Sequence, residues 1–145
     1  EAYNNLGVVY ETLGSRQEAI EAYKQAIRIK PDYAEAYINL GVAYGALDSW
    51  QEEIEAYKQA VRFKPDFAEA HYNLGIAYRA LGSRQEEIEA YKQTIRFKPD
   101  IAEAHYNLCV AYLEIGDKDS ASEEYKILKT LDVEMSNKLL NRIYQ

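Results

Sequence analysis

Apolar residues recur along this chain at spacings of three and four. Leu6, Tyr10 and Leu13 fall at i, i+4 and i+7, and Leu40, Tyr44 and Leu47 repeat the arrangement. Such a set lies along one face of a helix. A second set follows each time, first as Ile20, Tyr23 and Ile27, with polar residues between its members. The pattern predicts an all-α chain of paired amphipathic helices joined by short turns.

The punctuation fits the pairing. Asp32-x-x-Glu35, Asp66-x-x-Glu69 and Asp100-x-x-Glu103 read as capping boxes that open the first helix of a pair. Ser15-x-x-Glu18, Ser49-x-x-Glu52 and Ser83-x-x-Glu86 read the same way for the second helix. Pro31, Pro65 and Pro99 stop the second helix, and Lys24, Arg28 and Lys30 load its last turns with cations that suit the helix dipole.

The pairs are copies of one another. A shift of 34 residues aligns the three prolines, and also Tyr10, Tyr44, Tyr78 and Tyr112; residues 34–67 and 68–101 agree at 25 of 34 positions. Self-similarity at this period means a solenoid in which each unit buries its apolar side against its neighbours. The expected units are 1–33, 34–67, 68–101 and 102–135, followed by a capping helix over 136–145. Around that last helix Met135, Leu139, Leu140 and Ile143 share one face, while Asn137, Lys138, Asn141 and Arg142 share the other. Glu1 already lies inside a first helix. The expectation is a truncated piece of a longer array whose uncapped N-terminal end is free to stack on another copy.

Gly7, Gly41 and Gly75 recur in the middle of first helices, where glycine costs about 1 kcal/mol relative to alanine. Close approach of the partner helix is the expected compensation. Cys109 holds that slot in the fourth unit and reads as a small buried filler. Two units depart from the core pattern: Glu53 and Glu87 replace the alanine kept at Ala19 and Ala121. Each glutamate is expected to reach outward or loosen its helix pair, because burial without a partner is costly. Val133 stands where proline is expected, which predicts a softer turn into the last helix.

The string Tyr3-x2-Leu6-Gly7-x2-Tyr10, then Ala19-x3-Tyr23, Ala26 and Pro31, resembles the tetratricopeptide repeat with tyrosine in its Trp and Phe slots. The resemblance covers residues 1–135. It implies a right-handed superhelical solenoid whose first helices line a concave wall and whose second helices form the back. It also implies a non-catalytic protein-protein interaction scaffold that holds a peptide segment in the concave groove. Three rows then face the ligand. Asn5, Asn39, Asn73 and Asn107 form an unbroken ladder that in some relatives grips a peptide backbone; the alternative is that these amides bridge neighbouring helices. Asn4, Ile38, Tyr72 and Tyr106 form the second row, with the tyrosines offering contact area. Val8, Val42, Ile76 and Val110 form an apolar third row. One turn further come Glu11, Gly45, Arg79 and Leu113, of which Arg79 is the anion contact.

A relative that clamps a chaperone's terminal carboxylate uses Lys and Asn where this chain has Asn4 and Val8, so an acidic tail is disfavoured as ligand. Self-association through the N-terminal end is one alternative function. A substrate-docking arm of a larger enzyme, such as a glycosyltransferase, is another.

Composition removes other classes. The net charge of -7, from 17 basic and 24 acidic residues, lacks the basic footprint of a general nucleic-acid binder. No run of about 18 apolar residues suggests a membrane span. Cys109 is alone, so no disulfide or CxxC site is expected. His71, His105 and Cys109 lack a fourth ligand for zinc, and no cofactor is expected. No phosphate loop, HExxH or GxSxG occurs, so no enzymatic activity is expected. A lone cysteine fits the cytoplasm.

Overall fold

The computed structural model describes residues 1–143, with side chains described through Asn141. The described residues form helices α1 (Ala2–Thr12), α2 (Arg16–Ile29), α3 (Ala34–Gly45), α4 (Trp50–Phe63), α5 (Ala68–Leu81), α6 (Arg84–Phe97), α7 (Ala102–Ile115), α8 (Lys118–Leu131) and α9 (Val133–Ile143), with no strand among them. Helices α1, α3, α5 and α7 each pair with the helix that follows, α2, α4 and α6 pack in turn on the next pair, and α9 packs on α7 and α8. The result is a stack in which contacts run between neighbours.

Glycine and tyrosine explain how each pair closes. A β-carbon at Gly41 would lie 2.5 Å from Cε1 of Tyr57, and one at Gly75 would lie 2.5 Å from Cε1 of Tyr91; Gly7 meets Tyr23 in the same way. The glycines admit the rings, and Tyr23, Tyr57 and Tyr91 are buried against them. Full burial of a large apolar side chain contributes on the order of 1.5–3 kcal/mol, more than the glycine's loss of helix propensity. In the fourth pair Cys109 fills the slot, fully buried, and donates to the Ala121 carbonyl at 3.1 Å. Burial, with Glu124 nearby, pushes this thiol up to about 11, so it is held as an inert SH. Its partner Tyr125 is only half-buried.

The cores straddle the units. Ile20 and Tyr23 pack with Leu40 and Ala43; Ile54 and Tyr57 with Leu74 and Ala77; Ile88 and Tyr91 with Leu108 and Ala111. No pair owns a complete core, as a solenoid requires.

The helix starts differ from the expected capping boxes. α3, α5 and α7 take Tyr33, Phe67 and Ile101 as N-caps, none with a side-chain cap bond. Asp32, Asp66 and Asp100 fall one residue too early, in the turn after proline. Backbone bonds organise the entry instead, such as Tyr33 N–H to Lys30 O at 3.2 Å and Ala36 N–H to Tyr33 O at 3.1 Å. Ser15, Ser49 and Ser83 do sit at N-caps but make no cap bond. Asp117 does cap α8, accepting from Ser120 N–H at 3.1 Å.

The turn before α9 is tighter than the missing proline suggested. Asp132 alone separates α8 from α9; its carboxylate accepts from Met135 N–H at 2.8 Å and its carbonyl from Ser136 N–H at 3.0 Å. On α9 Leu139 is buried with Cys109 and Leu128, and Met135 packs beside them. The side chain of Ile143 and residues 144–145 lie outside the described part.

The glutamates at the alanine slot do not reach outward. Glu53 is 6% exposed and Glu87 0%. Their surroundings differ, and that difference shapes the candidate site.

Candidate functional site

The asparagine ladder divides on inspection. Asn39 Nδ2 donates to Asn4 Oδ1 at 3.0 Å, and Asn107 Nδ2 donates to the Tyr72 hydroxyl at 3.3 Å. In both cases the asparagine bonds to the second-row residue of the preceding unit. For Asn73 the residue at the corresponding position is Ile38, and an isoleucine cannot accept. Its amide is left without a hydrogen-bond partner while it lines a cavity. Asn5 is exposed at the end of the stack.

The other rows also sort by burial. Ile38 is 4% exposed, enclosed by Ile54, Tyr57 and Leu74, and Val110 is 2% exposed, enclosed by Leu128 and Leu139. Both were expected at the groove surface and are core residues instead, covered by the neighbouring helices. Tyr72 and Tyr106 are half-buried: Tyr72 tilts against Tyr91 with ring centroids 5.8 Å apart, and Tyr106 packs against the last core. Val8, Val42 and Ile76 are exposed. Arg79 is half-buried, close enough to Glu87 for its charge to favour that carboxylate.

Val42, Asn73 and Ile76 come together on the wall formed by α3 and α5. With Gly45, Trp50, Glu53 and Tyr57 they enclose a cavity of about 200 Å³. Burial raises the Glu53 carboxyl above its ordinary value, and a hydrogen bond with Tyr57 offsets only part of the effect. The Glu53 Oε2 atom is buried without a hydrogen-bond partner. Glu87, one unit on, has cations. Arg84 Nη1 bonds to its Oε2, and Arg84 Nη2 reaches Glu114 Oε2 at 2.5 Å, joining α6 to α7. Burial still raises Glu87, against the pull of Arg84 and Arg79.

The sequence holds the signal for this contrast. The slot of Arg84 is basic at Arg16 and Lys118 as well, and only Trp50 breaks the series; the slot of Arg79 is Gly45 in the same unit. The apolar period does not carry this contrast; only the charge at the slot does.

The histidines serve the scaffold. His71 Nε2 bonds to Pro65 O at 2.8 Å and its ring stacks on Phe97 with centroids 5.6 Å apart, as Tyr37 stacks on Phe63. His105 has Leu131 at the corresponding position and uses polar contacts instead: Nδ1 to Glu124 Oε2 at 2.6 Å and Nε2 to Pro99 O at 2.9 Å. Burial lowers its basicity, but the bonds to Glu124 and Pro99 outweigh that and raise its pKa. Among the described residues no group of three or more His, Cys, Asp or Glu side chains is placed to hold a metal, and no helix is long and apolar enough to cross a membrane.

Stacked helix pairs with an open wall define a helical-repeat scaffold. The TPR repeat family model matches residues 12–48, 49–82 and 77–116. The chain belongs to the tetratricopeptide repeat family, and its fold is the right-handed superhelical solenoid of that family.

Solved structures agree. A crystal structure of MamA is 32% identical with a TM-score of 0.83, covering 96% of this chain and 79% of that one. A second MamA crystal structure is 31% identical with a TM-score of 0.83, covering 93% of this chain and 74% of that one. A MamA 41-end chain from Desulfovibrio magneticus RS-1, at 20% identity and a TM-score of 0.80 over 91% of this chain and 75% of that one, shares the fold. No curated protein shows significant similarity to the chain. Family and fold together support a protein-interaction scaffold.

Proposed function

We propose that the scaffold captures an extended peptide segment on the wall formed by α3, α5 and α7. The observation that carries this reading is the free Asn73 amide beside exposed Val42 and Ile76. An amide both donates and accepts, so it can hold a peptide bond while the two aliphatic side chains take apolar groups. Asn39 and Asn107 are already engaged with Asn4 and Tyr72. They set the spacing of the units, and Asn73 does the gripping.

Peptide display against the immobilised chain tests this, with Val42→Glu and Asn73→Ala as controls. Both positions leave the buried cores intact, so both variants are expected to fold. Selected peptides should lose at least tenfold in affinity for each variant. Undiminished binding to both would refute the groove reading.

Self-association is the second reading. It draws support from Tyr3, Leu6, Val9 and Leu13, which are all exposed on α1 and just after it. Sedimentation over a concentration series checks it: a monomer at high concentration counts against stacking.

A further inference from the structure

Two adjacent units carry the same buried glutamate and treat it in opposite ways. Glu87 is attended by Arg84, which bonds to it, and by Arg79, whose charge reaches it. The corresponding positions around Glu53 are Trp50 and Gly45. Among the described residues no cation contributes to the Glu53 carboxyl; besides burial, the group acting on it there is Tyr57. The carboxylates of Glu69 and Glu11 reach as far as Tyr57, adding to the negative surroundings, whereas Arg79 and Arg84 temper those of Tyr91. The second unit has therefore kept the anion and lost its counter-ion.

That loss coincides with an opening. Glu53 is more than nine-tenths buried, its Oε2 has no partner, and it forms part of the wall of the cavity of about 200 Å³. Gly45 contributes no side chain there; a β-carbon would lie 2.7 Å from Glu53 Oε1, so the missing side chain is what admits the carboxylate. Trp50 supplies an indole wall, and Asn73 a second unpaired polar group. A carboxylate, an indole and a side-chain amide line the same cavity, the groups that a receptor for a planar cation needs. Guanidinium bonds carboxylates through a fork of N–H donors and stacks on indole, which a compact ammonium does less well. The chain's own third unit shows the same carboxylate slot occupied by a guanidinium, that of Arg84.

We propose that the cavity between α3, α4 and α5 is an arginine pocket: the captured peptide inserts an arginine side chain whose guanidinium pairs with Glu53 and lies against Trp50. This deepens the peptide reading and rests on it for the origin of the arginine. In this account the second unit takes in trans the cation that the third unit supplies in cis. The pocket then selects peptides by a single basic residue, while Val42 and Ile76 accept apolar neighbours on either side.

Trp50 is the sole tryptophan, so its fluorescence reports directly on the pocket. The probe is N-acetyl-arginine amide, titrated into the full chain at constant ionic strength, with N-acetyl-citrulline amide as the neutral isostere. A saturable change with arginine and none with citrulline is expected, and Glu53→Gln should weaken the arginine response at least tenfold. Equal responses to both probes, no saturable response, or a response that survives Glu53→Gln would overturn the pocket.

Display selection supplies the second arm, with Trp50→Arg as the variant that rebuilds the internal pair. Wild-type selections should fix arginine at one position, and Trp50→Arg should abolish that preference. Peptides selected without a basic residue would refute the pocket and leave the groove reading standing. A capped-arginine response with no peptide selected would keep the pocket and refute the groove.

Discussion

A β-carbon on Gly45 would lie 2.7 Å from Oε1 of Glu53, so the absence of a side chain at the end of α3 is matched to a carboxylate at the start of α4. The two positions are coupled. Gly45→Ala should destabilise the wild-type chain less than Gly41→Ala, because a buried carboxylate can rotate where the Tyr57 ring, pinned in the core, cannot. Overpacking of the Gly41 kind costs about 1–3 kcal/mol. In a Glu53→Ala background the cost of Gly45→Ala should disappear, giving a coupling of at least about 0.5 kcal/mol in a denaturation double-mutant cycle. Strict additivity would show that the carboxylate does not occupy this space.

Glu53 should also make stability depend on pH. Its folded pKa is raised above the ordinary 4.5, so the folded state binds its proton more tightly than the unfolded state does. Stability is therefore lost as pH rises from 4.5 through the folded value. Glu53→Gln removes this loss. At neutral pH it should stabilise the chain by about 1 kcal/mol, the scale of an unpaired buried acceptor, and below pH 4.5 the gain should vanish. Glu87→Gln breaks the pair with Arg84 and should show no comparable gain. Chemical denaturation from pH 3 to 8 measures both.

His105 has the opposite sign. Its folded pKa is raised above 6.5, so the stability contributed by its bonds to Glu124 and Pro99 is complete below pH 6.5 and is lost as pH rises through the folded value. Replacing it by phenylalanine, an aromatic like those at Tyr3 and Tyr37, should flatten this part of the profile. A melting-temperature series from pH 5 to 9 on both proteins decides the matter, and a wild-type profile with no descending limb would contradict it.

Asp48 adopts a φ of 56°, in the slot where Gly14, Gly82 and Gly116 have φ of 74°, 75° and 82°. Left-handed backbone is unfavourable for residues with a β-carbon by roughly 1–2 kcal/mol, less for aspartate. Asp48→Gly should raise the melting temperature, with a gain of up to about 1 kcal/mol. A fall in melting temperature would indicate that the aspartate side chain contributes more than its backbone loses.

Much of this architecture was legible in the sequence. The period, the helix pairing and the glycine–tyrosine approach follow from residues that recur at fixed slots, and all depend on contacts within one unit. Contacts between units were less legible. Ile38 and Val110 occupy slots that a single helix wheel places toward the groove, but Ile38 packs with Ile54, Tyr57 and Leu74, and Val110 packs with Leu128 and with Leu139 of α9. Contacts between units also join Asn39 to Asn4 and Asn107 to Tyr72, whereas the residue at the corresponding position for Asn73 is Ile38, which offers no acceptor. The caps at Asp32, Asp66 and Asp100 were misread for a local reason: backbone bonds in the post-proline turn already organise those helix starts. The anomaly of Glu53 is visible in its slot, but its meaning depends on Trp50, two helices and two loops away from Arg84 along the chain.

Hydrogen exchange of the full chain, with and without a peptide selected by display, tests the central claim most directly. The account predicts protection concentrated on α3 and α5 around Val42, Asn73 and Ile76, extending to the first turn of α4 at Trp50 and Glu53. Protection confined to α2, α6 and α8 on the back, or to α1 at the end of the stack, with α3 and α5 unchanged, would contradict it.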